Sequence, residues 1–252
     1  MNANETLILC EGFHDRAFWS GFFAHRACTR PSGDALDKPG PVREQPRFMG
    51  GGTFGFRTPA GAIVRVMPCG GDSRVEPTAR IQLEKRKSDT TPFSRLVLCV
   101  DADVPAGHEV ATLDHVGQLV KQHDPAAVAT GIGFALEGGA LQVAILQWQS
   151  DCAPATRGVP EQQTLERVVC SALAVVWPDR ADAVQTWLDS RPGGVDSVKA
   201  ASWSFMAGWF PDHGSEAFLK NIWGVPAVAN ELERQLALLP AWGLIDGIFA
   251  EG

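Results

Sequence analysis

The chain has 252 residues, 45% of them hydrophobic and 20% charged, with a formal net charge of −7. That length buries a core without disulfide or metal staples and allows one elaborated α/β domain, or a domain with a substantial appendage. Tyrosine is absent although there are 8 Trp and 13 Phe, which excludes a tyrosyl nucleophile, a tyrosyl radical and a phenolic general acid.

Residues 5–10 are a short apolar run stopping at Glu11-Gly12, the pattern of a buried strand. Phe13, Ala17, Phe18 and Phe22 then recur at helical spacing, giving a helix over 13–23. Residues 29–46 carry Pro, Gly and charges without a period and read as a loop. Arg47-Phe48-Met49, Phe54-Gly55-Phe56 and Ala62–Met67, punctuated by Gly50-Gly51-Gly52 and Pro59-Ala60-Gly61, predict an inserted hairpin or short meander near 47–67. After Gly70-Gly71, Asp72 or Ser73 is placed to cap a polar helix running from about 75 to 88.

Leu96–Val100 is apolar at every position, as a central parallel strand covered on both faces should be. It ends in Asp101-Ala102-Asp103. A helix over 108–122 follows, with Val110, Leu113, Val116 and Val120 as its stripe. Two strands, 129–135 and 140–148, flank Glu137-Gly138-Gly139, and 151–160 is a loop. Helices then dominate: 161–176, 179–189, about 196–209, 215–221 and 225–238. Alternating β and α over 1–150 implies a mostly parallel sheet flanked by helices, and 151–252 reads as a helical cover packed on it.

The acidic balance runs against non-specific nucleic-acid binding, unless divalent cations or a local patch reverse the local field. The six cysteines, at 10, 28, 69, 99, 152 and 170, include no C-x-x-C pair, so neither a zinc ribbon nor a thioredoxin-like motif is supported. Cys10 and Cys99 lie in apolar runs as small buried hydrophobes. No signal peptide and no apolar run near the ~20 residues of a membrane span are visible, so a cytoplasmic, non-membrane protein is expected. No P-loop, G-x-S-x-G or H-E-x-x-H motif occurs.

Two acidic signals share one architecture. Cys10-Glu11-Gly12-Phe13-His14-Asp15 ends a strand with a carboxylate, a turn-permitting glycine and a second acid four residues on. Asp101 and Asp103 are two apart and point to one side of an extended chain. Ligand sites of open α/β sheets gather outside the carboxyl ends of the strands. If the two strands are neighbours, Glu11, Asp101 and Asp103 converge there. One carboxylate pair 4 Å apart costs roughly 4 kcal/mol at an effective dielectric of 20, which protons or a cation must relieve. Hard oxygen donors favour Mg²⁺ or Mn²⁺, and such ions polarise phosphoryl oxygens and activate water.

With Leu7–Gly12, Asp15, Phe18 and Leu96–Asp103 in these positions, the sequence resembles the Toprim family. That family includes bacterial primases, type IA and type II topoisomerases, recombination mediators, small ribosomal-RNA maturases and the overcoming-lysogenization-defect nucleases. The resemblance implies a Toprim, Rossmann-like α/β fold, Glu11 as general acid/base or metal ligand, and Asp101 and Asp103 as Mg²⁺ ligands. The family's frequent third acid, two residues after the second Asp, is Pro105 here. Without tyrosine the covalent topoisomerase branch is closed, and without C-x-x-C there is no sign of a primase zinc region. The nuclease branch, with relatives in phage defence, then implies Asp15 and Glu166 as further metal ligands and Lys199 as a group stabilising the transition state.

Each of these has a plainer alternative. Glu161 and Glu166 fit a solvated helix face, Lys199 a surface lysine, and His14 simple exposure. Gly70-Gly71-Asp72 fits either backbone N–H groups approaching a phosphate or a strand-to-helix turn. Trp177, Trp187, Trp203, Trp209, Trp223 and Trp242 fit packing of the helical part or, less well, base stacking. The expected activity is metal-dependent nucleic-acid hydrolysis on DNA or RNA, with a protein partner such as an ATPase. The rivals are a non-catalytic Toprim module that regulates a partner, and a small-nucleotide hydrolase or sensor.

Overall fold

Strand β1 (Glu5–Cys10) is buried at every residue, its polar Glu5 and Thr6 included, so neither of its faces turns outward. It therefore needs strands on both edges and cover on both faces. The computed structural model describes residues 5–30, 52–88, 93–110, 114–191, 197–210 and 214–250, and β1 lies inside a seven-stranded sheet.

The other strands are β2 (Phe54–Arg57), β3 (Ile63–Pro68), β4 (Arg95–Asp101), β5 (Val128–Thr130), β6 (Gly133–Leu136) and β7 (Leu141–Trp148), in spatial order β2-β3-β1-β4-β7-β6-β5. The centre is parallel: Ile8 pairs with Val66 of β3 on one side and with Val97 of β4 on the other. The margins β2–β3 and β5–β6–β7 are antiparallel. One charged pair is buried in this centre. Arg65 of β3 donates to both carboxylate oxygens of Glu5, at 2.7 and 3.3 Å, and the forked geometry compensates their desolvation.

Two compact units are distinguished. The first comprises residues 1–100, 112–146 and 240–252. It holds the helices α1 (Phe13–His25), α2 (Val75–Arg86), α3 (Asp114–His123) and α9 (Trp242–Ala250). Leu83, Val116 and Leu119 of α2 and α3 join Leu7, Leu9 and Leu98 of the sheet in one apolar core. A second, aromatic cluster ties α9 to α1: Trp19 stacks on Trp242 at 6.2 Å and Phe22 meets Phe249 edge-on at 5.8 Å. Arg26 closes that contact with a 2.8 Å ion pair to Asp246.

The second unit comprises residues 101–111 and 147–239. It contains α4 (Leu165–Val176), α5 (Pro178–Asp189), α6 (Val198–Trp209), α7 (Ser215–Asn221) and α8 (Pro226–Leu236). The apolar helix α4 is the hub against which α5, α6 and α8 pack. Among the described residues no helix is long and apolar enough to cross a membrane.

The α/β class and the flanking helices agree with the sequence reading, and several boundaries differ for physical reasons. The hairpin near 47–67 is not an insertion: β3 is the parallel neighbour of β1, while residues 47–49 lie outside the described residues. The strand expected over 129–135 folds on itself as β5 and β6, with Gly131 and Ile132 forming the turn. Of the helix expected over 108–122, residues 108–110 are not helical and Asp114–His123 is, with 111–113 outside the described residues, and the helix expected from 161 starts at Leu165. Pro105 bridges Gln162, and the Thr164 side chain accepts the Arg167 N–H as the cap of α4, so residues 161–164 precede that helix. Neither Asp72 nor Ser73 caps α2; both lie in a short 3-10 turn ahead of it. Helix α9 follows the last helix read from the sequence. Trp209, Trp223 and Trp242 are packed inside, whereas Trp187 and Trp203 are exposed.

Candidate active site

The end of β1 is a hydrogen-bonded corner. The chain turns at Gly12, whose N–H donates to Asp15 Oδ2 at 3.1 Å. Asp15 is thus the third residue of α1 and fills the return half of a capping box. Asp15 is buried, and this contact gives the partly buried Gly12 N–H its partner. The main-chain oxygen of Glu11 accepts two further bonds, from Gly70 N–H at 2.9 Å and Gly71 N–H at 2.8 Å. Gly70 and Gly71 have φ of +87° and +130°, which glycine adopts without a Cβ penalty. Their donors are spent on Glu11, so Gly70-Gly71-Asp72 is a strand-to-helix turn and not a phosphate cradle.

The thiols beside this corner are poor nucleophiles. Burial pushes Cys10 well above the ordinary thiol range, and the negative charge of Asp15 adds to the effect. Burial likewise pushes Cys69 up to about 12, with Asp15 and Glu11 contributing in the same direction. The thiolate is the reactive form, so Cys10 packs as the sequence indicates, and Cys69 is buried in the same way.

The end of β4 is held by a different set of bonds. Asp101 Oδ1 accepts the backbone N–H of Leu165, the first residue of α4, at 3.0 Å. The N–H groups of Ala102 and Asp103 both donate to Gln163 O, at 3.0 and 3.2 Å, and Gln163 N–H donates back to Val104 O at 2.8 Å. Asp103 is exposed and takes a positive φ of +51°, a conformation sparsely populated outside glycine and tolerated by Asp.

Two residues missed by the sequence reading support this segment. Gln163 is buried, and its side chain accepts from Ser150 N–H at 2.9 Å and donates to Ser150 O at 3.2 Å. Arg167 is fully buried and donates to the carbonyl oxygens of Pro160, Cys152 and Ala153. An arginine directly ahead of the mostly apolar Val168–Val176 is a visible signal; nothing in the sequence marks Gln163.

The carboxylates therefore fall as follows. Glu11 follows β1 and Asp101 ends β4, and these are adjacent parallel strands in which Cys10 faces Cys99. Asp15 adjoins Glu11 at the start of α1, and Glu166 is in the first turn of α4, next to the residue that Asp101 caps. Lys199 lies in the first turn of α6, and its side chain is outside the described residues. Asp103 extends beyond the strand. The donor types suit a hard cation, but among the described residues no three His, Cys, Asp or Glu side chains form a group able to hold one. A Mg²⁺ ion in phosphoryl chemistry commonly takes only one or two carboxylates, with waters and substrate phosphate completing its shell.

No family model matches the chain, and no match is found among curated proteins. Among solved structures, the chain is similar to the hypothetical protein PH0156 from Pyrococcus horikoshii OT3, with a TM-score of 0.68 and 14% identity over 98% of this chain and 99% of that one. The likeness is one of fold.

Proposed function

We propose that the protein is a divalent-metal-dependent nuclease of Toprim type that hydrolyses phosphodiester bonds with water as nucleophile. The observation that carries this reading is the pair of carboxylates, Glu11 and Asp101, at the carboxyl ends of adjacent parallel strands, where α/β sheets place their ligand sites. Bound Mg²⁺ or Mn²⁺ would polarise the phosphoryl oxygen and lower the pKa of water.

The chain's own residues divide the remaining work. Glu11 accepts the proton of the attacking water and returns one to the leaving oxygen. Asp101 and Asp103 would hold the first ion, with the Asp101 carboxylate oriented by the Leu165 N–H. Glu166, at the start of the same helix, and Asp15 would take part in holding a second ion, and Lys199 would offset charge developing on the phosphate. In this reading Asp15 has two duties, because its Oδ2 also caps Gly12.

The net charge of −7 favours a second reading, a small-nucleotide hydrolase, since a short substrate needs no long basic track. Incubation with single- and double-stranded DNA, RNA and a dinucleotide in Mn²⁺ separates the two. Polymer cleavage lost in Glu11→Gln supports the nuclease; cleavage of the dinucleotide alone supports the second reading.

A further inference from the structure

The carboxyl edge of the sheet carries a cation as well as acids. Arg74 ends the short turn Asp72–Arg74 that follows β3 and Gly70-Gly71, and its N–H donates to Gly71 O at 3.1 Å. Its side chain folds back over Gly70: a Cβ built on that glycine would lie 3.6 Å from Arg74 Nη1 and 3.8 Å from Cδ. Gly70 is itself bonded to the main chain of Glu11. The guanidinium is therefore set over the turn that is pinned to the residue following β1.

Arg74 is half-buried, yet its side chain makes no hydrogen bond or ion pair among the described residues. Neighbouring arginines of the same unit behave differently. Arg65 pairs with Glu5, Arg80 with Glu76 and Arg86 with Glu137. Arg167 and Arg16 donate to main-chain oxygens, so in a chain with 29 acids to 22 Lys and Arg a half-buried guanidinium with neither kind of partner among the described residues stands apart. A guanidinium presents its donors in a planar fork matched to carboxylate and phosphate oxygens. The Gly70 and Gly71 N–H groups cannot take that role, because both are bonded to Glu11 O.

We infer that Arg74 is a phosphate-binding residue, its guanidinium donating to non-bridging oxygens of a phosphate brought to the carboxyl edge beside Glu11. The inference rests on the hydrolase reading for the role of that phosphate as substrate. The shared chemistry is the phosphate group, whether of a nucleic-acid strand or of a free nucleotide.

The test measures binding, not turnover. The full chain and its Arg74→Ala and Arg74→Lys variants are titrated, with Ca²⁺ replacing Mg²⁺ or Mn²⁺, against a fluorescent single-stranded oligonucleotide and a fluorescent nucleoside triphosphate over a range of salt. Arg74→Ala should weaken binding by about tenfold, the scale of one charge-assisted hydrogen-bonded contact. It should lower the log–log salt slope for the oligonucleotide by about 0.7, the share of one phosphate on a single strand. Arg74→Lys should keep the slope and recover only part of the affinity, because a point charge replaces a fork. The thermal midpoint should not move, since the side chain has no hydrogen-bond or ion-pair partner among the described residues.

A loss confined to the oligonucleotide assigns the contact to a polymer, and a loss with both probes assigns it to a phosphate common to both. Equal affinity and slope for Arg74→Ala, or no binding of either probe by the unaltered chain, overturns the inference. Arg74-dependent binding without Mn²⁺-dependent cleavage would sink the hydrolase reading alone. Cleavage with unchanged Arg74→Ala binding would sink the phosphate contact alone.

Discussion

Asp101 caps the helix that begins at Leu165: its Oδ1 accepts the Leu165 N–H at 3.0 Å, across 64 positions of sequence. The first N–H groups of a helix have no partner within it, and a carboxylate there also meets the positive end of the helix dipole. One bond thus orients a carboxylate at the end of β4 and anchors α4, so substitutions at Asp101 separate charge from cap. Asp101→Asn keeps an acceptor and should cost less stability than Asp101→Ala, which should lose about 1 kcal/mol in urea denaturation. Both should lose Mn²⁺-dependent hydrolysis. Equal stability losses in the two variants would show that the cap is not what Asp101 supplies.

Asp15 permits the same separation at the start of α1. Asp15→Ala removes the acceptor for Gly12 N–H and should cost about 1 kcal/mol, whereas Asp15→Asn should stay near the parent in a thermal melt. If Asp15→Asn also leaves Mn²⁺ affinity intact by isothermal titration, Asp15 is a cap and not a ligand.

Arg167 tests how far the loop ahead of α4 depends on one buried cation. Arg167→Met preserves length and removes every donor to the carbonyls of Pro160, Cys152 and Ala153. Leaving three acceptors without their charged donor should cost about 3 kcal/mol or more. Urea denaturation measures the loss, and limited proteolysis should cut 151–160 faster. A loss below about 1 kcal/mol would mean that water replaces the guanidinium.

Alkaline pH probes the corner at β1 through its thiols. Folding raises Cys69 to about 12, by burial first and then by Asp15 and Glu11, against roughly 8.5 for an unperturbed thiol. The unfolded chain therefore releases this proton first. Stability from Cys69 is complete below about pH 8.5 and falls as pH rises towards 12, by at most about 1.4 kcal/mol per unit. No tyrosine titrates in that window. Urea midpoints between pH 7.5 and 10.5 should fall less steeply for Cys69→Ala than for the parent; parallel slopes would contradict the burial argument.

The parts of this fold legible in the sequence are those set by local pattern. Leu7–Cys10 and Leu96–Val100 are apolar throughout, which reads as buried parallel strands, and they are neighbours in the sheet. Glu11 and Asp101 follow from where those runs stop. Long-range pairing was not legible. The bridge between Pro105 and Gln162 keeps residue 162 out of α4, and the tie between Gln163 and residues 102–104 has no periodic signature. Beyond residue 240, Trp242, Ile245 and Phe249 have helical spacing, but what they cover, Trp19 and Phe22, is more than 200 residues away.

The most direct measurement is a cleavage time course on single-stranded DNA and RNA in Mn²⁺, run on the parent chain and on Glu11→Gln and Asp101→Asn purified identically. The parent should cleave without forming a covalent protein–nucleic acid adduct, and both variants should lose at least about a hundredfold, the scale of removing a general base or an electrostatic stabiliser. Cleavage that persists in both variants, or none by the parent on any phosphodiester, would contradict the hydrolase reading.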